Sequence, residues 1–313
     1  MSLSEGLAPA RLMSGRLHSA VLRLPPAVRG MMWMAASGFV FTLLNTLMRN
    51  MSFSLDAVEI GFLRYLCGLS IVLPLMARRG LAGLVPHSIR GQFWRGAVHT
   101  SGMLLWFTAL PYIPLADNVA IGFTSPIFIM LGAALFLREK LVWARWVAAG
   151  FGFLGVLIVV APTLSWAGGS GGGGYYQLVM LASSPLFAAS FLIVKALTRR
   201  DRAEVIVLWQ SVTVAMFLAP FALWRWTWPS ASQWAILVVC GVFGSLGHYF
   251  STRALRTADA SATQSVKFID LIWASIAGMV AFGEYPSQTT VLGGFVIFLS
   301  TTWVARREAR GRT

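Results

Sequence analysis

In the stretch "SVKFIDLIWA", Ser265 to Ala274, a lysine and an aspartate stand three residues apart inside a run that is otherwise apolar from Asp259 to Phe282. A spacing of three puts Lys267 and Asp270 on one helix face. The same face continues through Thr263 and Gln264 at one end and the small residues Ala274, Ala277 and Gly278 at the other. Such a pair has two uses. The carboxylate can bind a proton or a cationic group while the ammonium holds an anionic group, or is released when the carboxylate takes up a proton. Alternatively the two charges neutralise one another and lock a helix in place.

Other polar residues stand alone in apolar runs. His99 and His248 are each either a hydrogen-bonded packing residue or a proton relay. Arg64 follows an acidic approach containing Asp56 and Glu59 and lies about two turns inside the outer boundary; its guanidinium either reaches back to the polar boundary, pairs with an acid of another span, or meets a substrate. Asn118, Gly122 and Ser125 share a face of a run containing Pro126, whose missing N–H leaves a carbonyl for water or a side chain. Trp106 offers a ring on which a planar molecule can stack, and Gly241, Gly244 and Gly247 allow a neighbouring helix to approach closely. No metal-ligand spacing, Ser/His/Asp grouping or cofactor motif accompanies them. Cys67 and Cys240 read as small apolar residues, and the Gly-rich "AGGSGGGGYY" lacks the Lys-Ser/Thr of a phosphate-binding loop.

The elements that must position these residues are membrane spans. Of 313 residues, 57% are hydrophobic and 12% charged, with mean hydropathy +0.71, which is outside the range of soluble domains. A spanning helix needs about 20 mainly apolar residues. Ten such segments can be placed, at 31–49, 57–76, 96–112, 117–137, 145–162, 177–197, 204–223, 233–250, 259–282 and 288–305. A charge near the bilayer centre costs from about 2.5 kcal/mol upward, so charges inside spans face protein or water.

The net charge of +14 raises nucleic acid as a partner, but the position of the basic residues argues against it. With ten spans and a cytoplasmic N-terminus, 21 of the 25 Lys and Arg fall in cytoplasmic segments. Arg49 and Arg225 fall outside, and Arg64 and Lys267 lie within spans. This bias sets the orientation with both termini cytoplasmic. The expected partners are a small molecule and membrane lipids, and the sequence does not fix the oligomeric state. Residues 1–30 read as a basic cytoplasmic tail, with a targeting segment the weaker reading for want of an apolar core and cleavage site. Residues 306–313 read as a second basic tail.

Residues 31–162 and 177–305 hold five spans each, joined by a Gly-rich external linker at 163–176. At an offset of 145, Ala109-Leu110 falls on Ala254-Leu255 and Glu139 on Glu284, a sign of duplication. An odd number of spans per half inverts the second half. That arrangement places a substrate site near the midplane between the repeats.

The run "WFTALPYIPLADNVAIGFTSPIFIMLGAALFLREKL" and the later "GHYFSTRAL" and "IWASIAGMVAFGEYP" resemble the paired signatures of the drug/metabolite transporter superfamily, in particular its EamA-type bacterial members with ten helices in two repeats. The resemblance covers about residues 31–305. It implies an all-α integral membrane protein moving a small metabolite, often an amino acid, a nucleotide-like compound or a vitamin, across the bacterial inner membrane. The family often has an apolar residue, a proline or an aromatic where this chain has Lys267 to Asp270, so no family role is carried onto that pair. The chain has no ATP-binding motif, so an ion gradient or exchange would drive transport by alternating access. A structural or lipid-scrambling protein is the alternative, and an intramembrane enzyme lacks its nucleophile, base or metal cluster.

Overall fold

The computed structural model describes residues 24–51, 54–78, 80–109, 112, 121–140, 142–160, 175–224, 226–283, 285 and 287–310. Its helices are α1 (Pro26–Met51), α2 (Ala57–Ala77), α3 (Ile89–Ala109), α4 (Ser125–Phe136), α5 (Trp143–Val160), α6 (Tyr175–Leu197), α7 (Ala203–Trp224), α8 (Ala231–Thr257), α9 (Ala260–Gln264), α10 (Asp270–Phe282) and α11 (Gln288–Ala309). Short 3-10 turns lie at Leu81–Leu84 and Lys267–Ile269, and there is no strand among the described residues. Seven segments are long and apolar enough to cross a membrane: α1, α2, α6, α7, α8, α11, and the stretch Ala260–Phe282 shared by α9 and α10. Helices α4 and α5 are shorter and apolar. Helix α3 has the length, but Arg90, Gln92, Arg95 and His99 interrupt its apolar surface.

Caps at the helix ends satisfy backbone groups that the bilayer would leave bare. Asp56 accepts from Val58 N at 2.8 Å ahead of α2. Ser230 and Gln233 form a reciprocal capping box on α8, and Ser287 accepts from Thr290 N at 3.1 Å on α11. Pro26 opens α1, where no N–H is needed. Along the bundle's flanks Leu135, Phe136, Val280, Val291 and Phe295 are exposed, as a surface facing hydrocarbon requires.

The helices pack in pairs that exchange when the two halves are exchanged. Helix α1 packs on α8 and α3 on α6; α2 packs on α8 and α3 on α7; α1 receives α9 and α10 as α6 receives α4. The pairs α2 with α7 and α5 with α11 map onto themselves. The offset of 145 reappears in the backbone. Arg138, after α4, and Gly283, after α10, both adopt a left-handed conformation, with φ of 56° and 67°. That conformation is common in glycine and uncommon in arginine, so the same helix exit is kept in both halves despite the side chain.

Two expected spans are not single helices. The span expected over 117–137 turns at Phe123–Thr124 before α4 begins, so Pro126 sits in the first turn of a helix and leaves no interior carbonyl unpaired. The span over 259–282 breaks between α9 and α10. There Thr263 Oγ1 donates to Ala260 O at 2.8 Å and Ser265 Oγ to Ala262 O at 2.7 Å. Hydroxyls that bond back to the preceding turn weaken the helical ladder and bend it. The apolar and polar halves of the expected Lys267 stripe therefore lie on separate segments. Helix α3 starts before the expected 96, so Arg95 belongs to the helix and not to a loop. Helix α6 begins at Tyr175, inside the expected linker, where Tyr176 stacks on Tyr112 at 4.2 Å between ring centroids.

The glycines of α8 seat neighbouring helices as expected. A Cβ on Gly241 would stand 2.6 Å from Gly68 N and 2.8 Å from Cys67 Cβ of α2. Backbone cannot move aside as a side chain can, so Gly241→Ala is expected to cost about 1–3 kcal/mol, the usual range for overpacking. Thermal unfolding in detergent should show a lower midpoint. Gly150→Ala, where nothing lies within 4 Å of the added carbon, should leave it unchanged or raised.

Candidate functional site

Near the middle of the bundle, four helices bring together a hydrogen-bonded cluster. His99 is the central residue of α3, and Tyr65 of α2, Gln210 of α7 and His248 of α8 lie within about one turn of their own helix centres. Tyr65 Oη is 3.2 Å from His99 Nε2 and 3.3 Å from His248 Nε2. Gln210 Nε2 lies 3.3 Å from both Tyr65 Oη and His248 Nε2. Arg95 donates to Gln210 Oε1 and, at 2.9 Å, to Ile206 O. Ser190 Oγ of α6 is 3.5 Å from His99 Nδ1.

Donor counting orders this cluster. A guanidinium only donates, so Gln210 must present its oxygen to Arg95 and its NH2 to Tyr65 and His248. His248 Nε2 has one lone pair, for which the Tyr65 hydroxyl and the Gln210 amide compete. His99 donates from Nε2 into the remaining lone pair of Tyr65 and accepts from Ser190 at Nδ1. Every contact except the one shared on His248 then pairs one donor with one acceptor. Tyr65, Gln210 and Arg95 are buried, whereas the two imidazoles keep part of their surface accessible. They are the cluster's open face.

Arg64, adjacent to Tyr65, lies inside the bundle and not at its boundary. It is 8% exposed, its guanidinium carbon stands 4.2 Å over the Tyr65 ring, and it fills the space left by Gly244. No acid pairs with it among the described residues, and its Nε has no hydrogen-bond partner there. The cluster thus carries two guanidinium groups and no carboxylate.

Lys267 and Asp270 form an ion pair, on the 3-10 turn and the first residue of α10. Residues three apart eclipse in a 3-10 turn, so the spacing read from the sequence brings the charges together although the helix is broken. Their side chains are 23% and 19% exposed. Asp270 packs against Gly38 of α1, where any Cβ would overlap its carboxylate, and its Oδ1 has no partner among the described residues. Phe41 of α1 links the pair to the cluster: its ring centroid is 4.9 Å from that of His248 and 5.9 Å from Lys267 Nζ.

The remaining candidates lie elsewhere. Gln264 is buried at the end of α9 with its Nε2 3.5 Å from Thr263 Oγ1. Trp106, two turns beyond His99, packs in an apolar cluster with Ala109, Met180 and Tyr176. Ser125 opens α4, half-buried. Trp106 also packs against the apolar cluster that contains Tyr65. Asn118 and Glu284 lie outside the described residues. Sequence reasoning passed over Tyr65, Arg95, Gln210, Ser190 and Phe41. A glutamine in the middle of the apolar run "VIVLWQSVTV" was the one available signal, because an amide there needs partners.

Two successive portions of the chain, residues 28–161 and 175–306, match the model of the EamA-like transporter family. A riboflavin transporter of Rhizobium johnstonii is 32% identical over 287 residues, covering 91% of this chain and 93% of that protein. An S-adenosylmethionine uptake transporter of Rickettsia prowazekii is 25% identical over 90% of this chain and 94% of its own. A solved crystal structure superposes with a TM-score of 0.75 at 18% identity, covering 91% of this chain and 97% of the other, a likeness of fold alone.

Proposed function

The chain belongs to the EamA-like transporter family, and from that premise we propose that it carries a flat, nitrogen-rich metabolite of the riboflavin kind across the bacterial inner membrane by alternating access. It is a multi-pass membrane protein and a transporter rather than an enzyme, which sets aside the non-transporting reading. The observation that carries the proposal is the midplane cluster of Tyr65, His99, Gln210 and His248 beside Phe41 and the Lys267–Asp270 pair. Polar groups in a membrane interior are costly and mark pathways. Here they come from both halves of the chain, where inverted repeats place their substrate.

Riboflavin and S-adenosylmethionine share a planar heteroaromatic system joined to a polar chain. The rings of Phe41 and the two histidines, which keep part of their surface accessible, offer stacking surfaces for the plane. The buried guanidinium of Arg64, with no acid paired to it among the described residues, adds positive potential that favours the carbonyl-rich edge of a riboflavin ring. The packing pairs that exchange between halves support an inverted pseudo-two-fold, with both termini cytoplasmic by the charge bias. Lys267 and Asp270 are the groups proposed to couple transport to protons, with exchange of metabolites as the other drive.

Binding tests the substrate class. Quenching of riboflavin's own fluorescence by the detergent-purified protein is expected in the micromolar to millimolar range usual for small-molecule sites. Adenosine should compete weakly and glycine or glutamate not at all. Competition by a simple amino acid, with no response to riboflavin, would replace this substrate class with another.

A further inference from the structure

At the basic end of the bundle a cavity of about 630 Å³ opens between the loop after α4, the start of α5 and the C-terminal ends of α6 and α8. Its two carboxylates are already engaged. Glu139 caps α9, accepting from Ala260 N at 2.7 Å and from Ser261 N and Oγ at 3.1 and 2.8 Å. Asp259 pairs at 3.1 Å with Arg145, which also holds Glu308 at 2.9 Å. Lys195 is occupied too, donating to the carbonyls of Leu255 and Ala258 at the end of α8. Four further cations line the same cavity: Arg138, Lys140, Arg199 and Arg256. All four are exposed, and none has an ion pair among the described residues.

A concave surface whose two acids are engaged internally and whose remaining cations converge from three separate segments has one evident complement. Guanidinium forks match the oxygens of a phosphate two at a time, and a nearby lysine adds a point charge. The volume lies within the range of about 300–1,000 Å³ typical of ligand sites. We infer that this cavity binds a phosphate group, carried by an anionic lipid headgroup or by a soluble phosphorylated molecule, at a site separate from the midplane cluster. Basic pockets at the mouth of a helix bundle meet both sources, since headgroup phosphates and dissolved ones lie at the same depth. The inference stands whether or not riboflavin is the transported molecule, because it uses none of the midplane residues.

The test uses the full-length protein and the double variant Arg199→Gln/Arg256→Gln, both residues exposed and outside every ion pair among the described residues. Inorganic phosphate, titrated against sodium chloride of equal ionic strength, is expected to raise the melting temperature of the wild type in neutral detergent. The variant should need about tenfold more phosphate or higher for the same rise, the usual worth of one charge-assisted hydrogen bond. In parallel, both proteins are placed in phosphatidylcholine nanodiscs with and without phosphatidylglycerol, and retained lipid is read by native mass spectrometry. Phosphatidylglycerol retained by the wild type and lost from the variant assigns the lipid source. A phosphate response without such retention assigns the soluble one. Identical phosphate and chloride curves together with equal lipid retention in both proteins overturn the inference, as does a phosphate response unchanged in the variant.

Discussion

Asp270→Asn is expected to leave the transporter folded and to uncouple it from the proton gradient. If one proton moves with each substrate, a gradient of one pH unit supplies about 1.36 kcal/mol, enough for about tenfold accumulation. The variant should equilibrate its substrate, with an accumulation ratio near one. The mechanism lies in the pair's position. Asp270 sits in a seat that only Gly38 permits, at a helix break, with one carboxylate oxygen unpartnered among the described residues. On the proposed coupling, a proton taken up there would free Lys267, whose Nζ lies 5.9 Å from the ring centroid of Phe41. A purely structural pair behaves differently. Removing one buried partner costs up to about 3–5 kcal/mol, less here because both side chains keep about a fifth of their surface. Lys267→Met together with Asp270→Asn would then restore stability, and gradient-driven accumulation would survive in the double variant. Melting curves and uptake ratios for the two variants separate these cases.

The second large effect is expected at His248. His248→Phe keeps a ring of similar size against Phe41 but removes the acceptor used by Tyr65 and Gln210. Without that acceptor a buried donor of Tyr65 or Gln210 is left unsatisfied, at about 1–3 kcal/mol, so the melting midpoint should fall and transport through the rearranged cluster should drop by about tenfold or more. His248→Gln restores an acceptor and should recover part of that loss. Transport unchanged in His248→Phe would remove the cluster from the substrate path.

The sequence carried different parts of this architecture with different clarity. Lys267 and Asp270 were legible because two charges in an apolar run have no cheap explanation, and a spacing of three holds in either helix type. Their continuation through Gln264 was not, because the break depends on whether the Thr263 and Ser265 hydroxyls bond back to carbonyls or turn outward. The meeting of His99 with His248 was hidden by the repeat itself, which aligns Met103 with His248 and so gives no hint that the rings converge. Arg95 read as a loop charge because orientation rules count charges and not burial; in the fold it is 3% exposed and tied to Gln210. Tyr65 and Phe41 had no signal of their own, since aromatic residues are common in every span. Trp106 had the right chemistry but lies two turns along α3, in an apolar cluster.

The most direct test of the central claim is riboflavin flux into proteoliposomes with an imposed pH gradient, for wild type, His248→Phe and protein-free vesicles. The expected result is gradient-dependent accumulation by the wild type, reduced about tenfold or more in His248→Phe at a temperature where its melting curve shows it still folded. Flux by the wild type no faster than through protein-free vesicles, or equal flux in the wild type and His248→Phe, would contradict the claim that the midplane cluster carries this substrate.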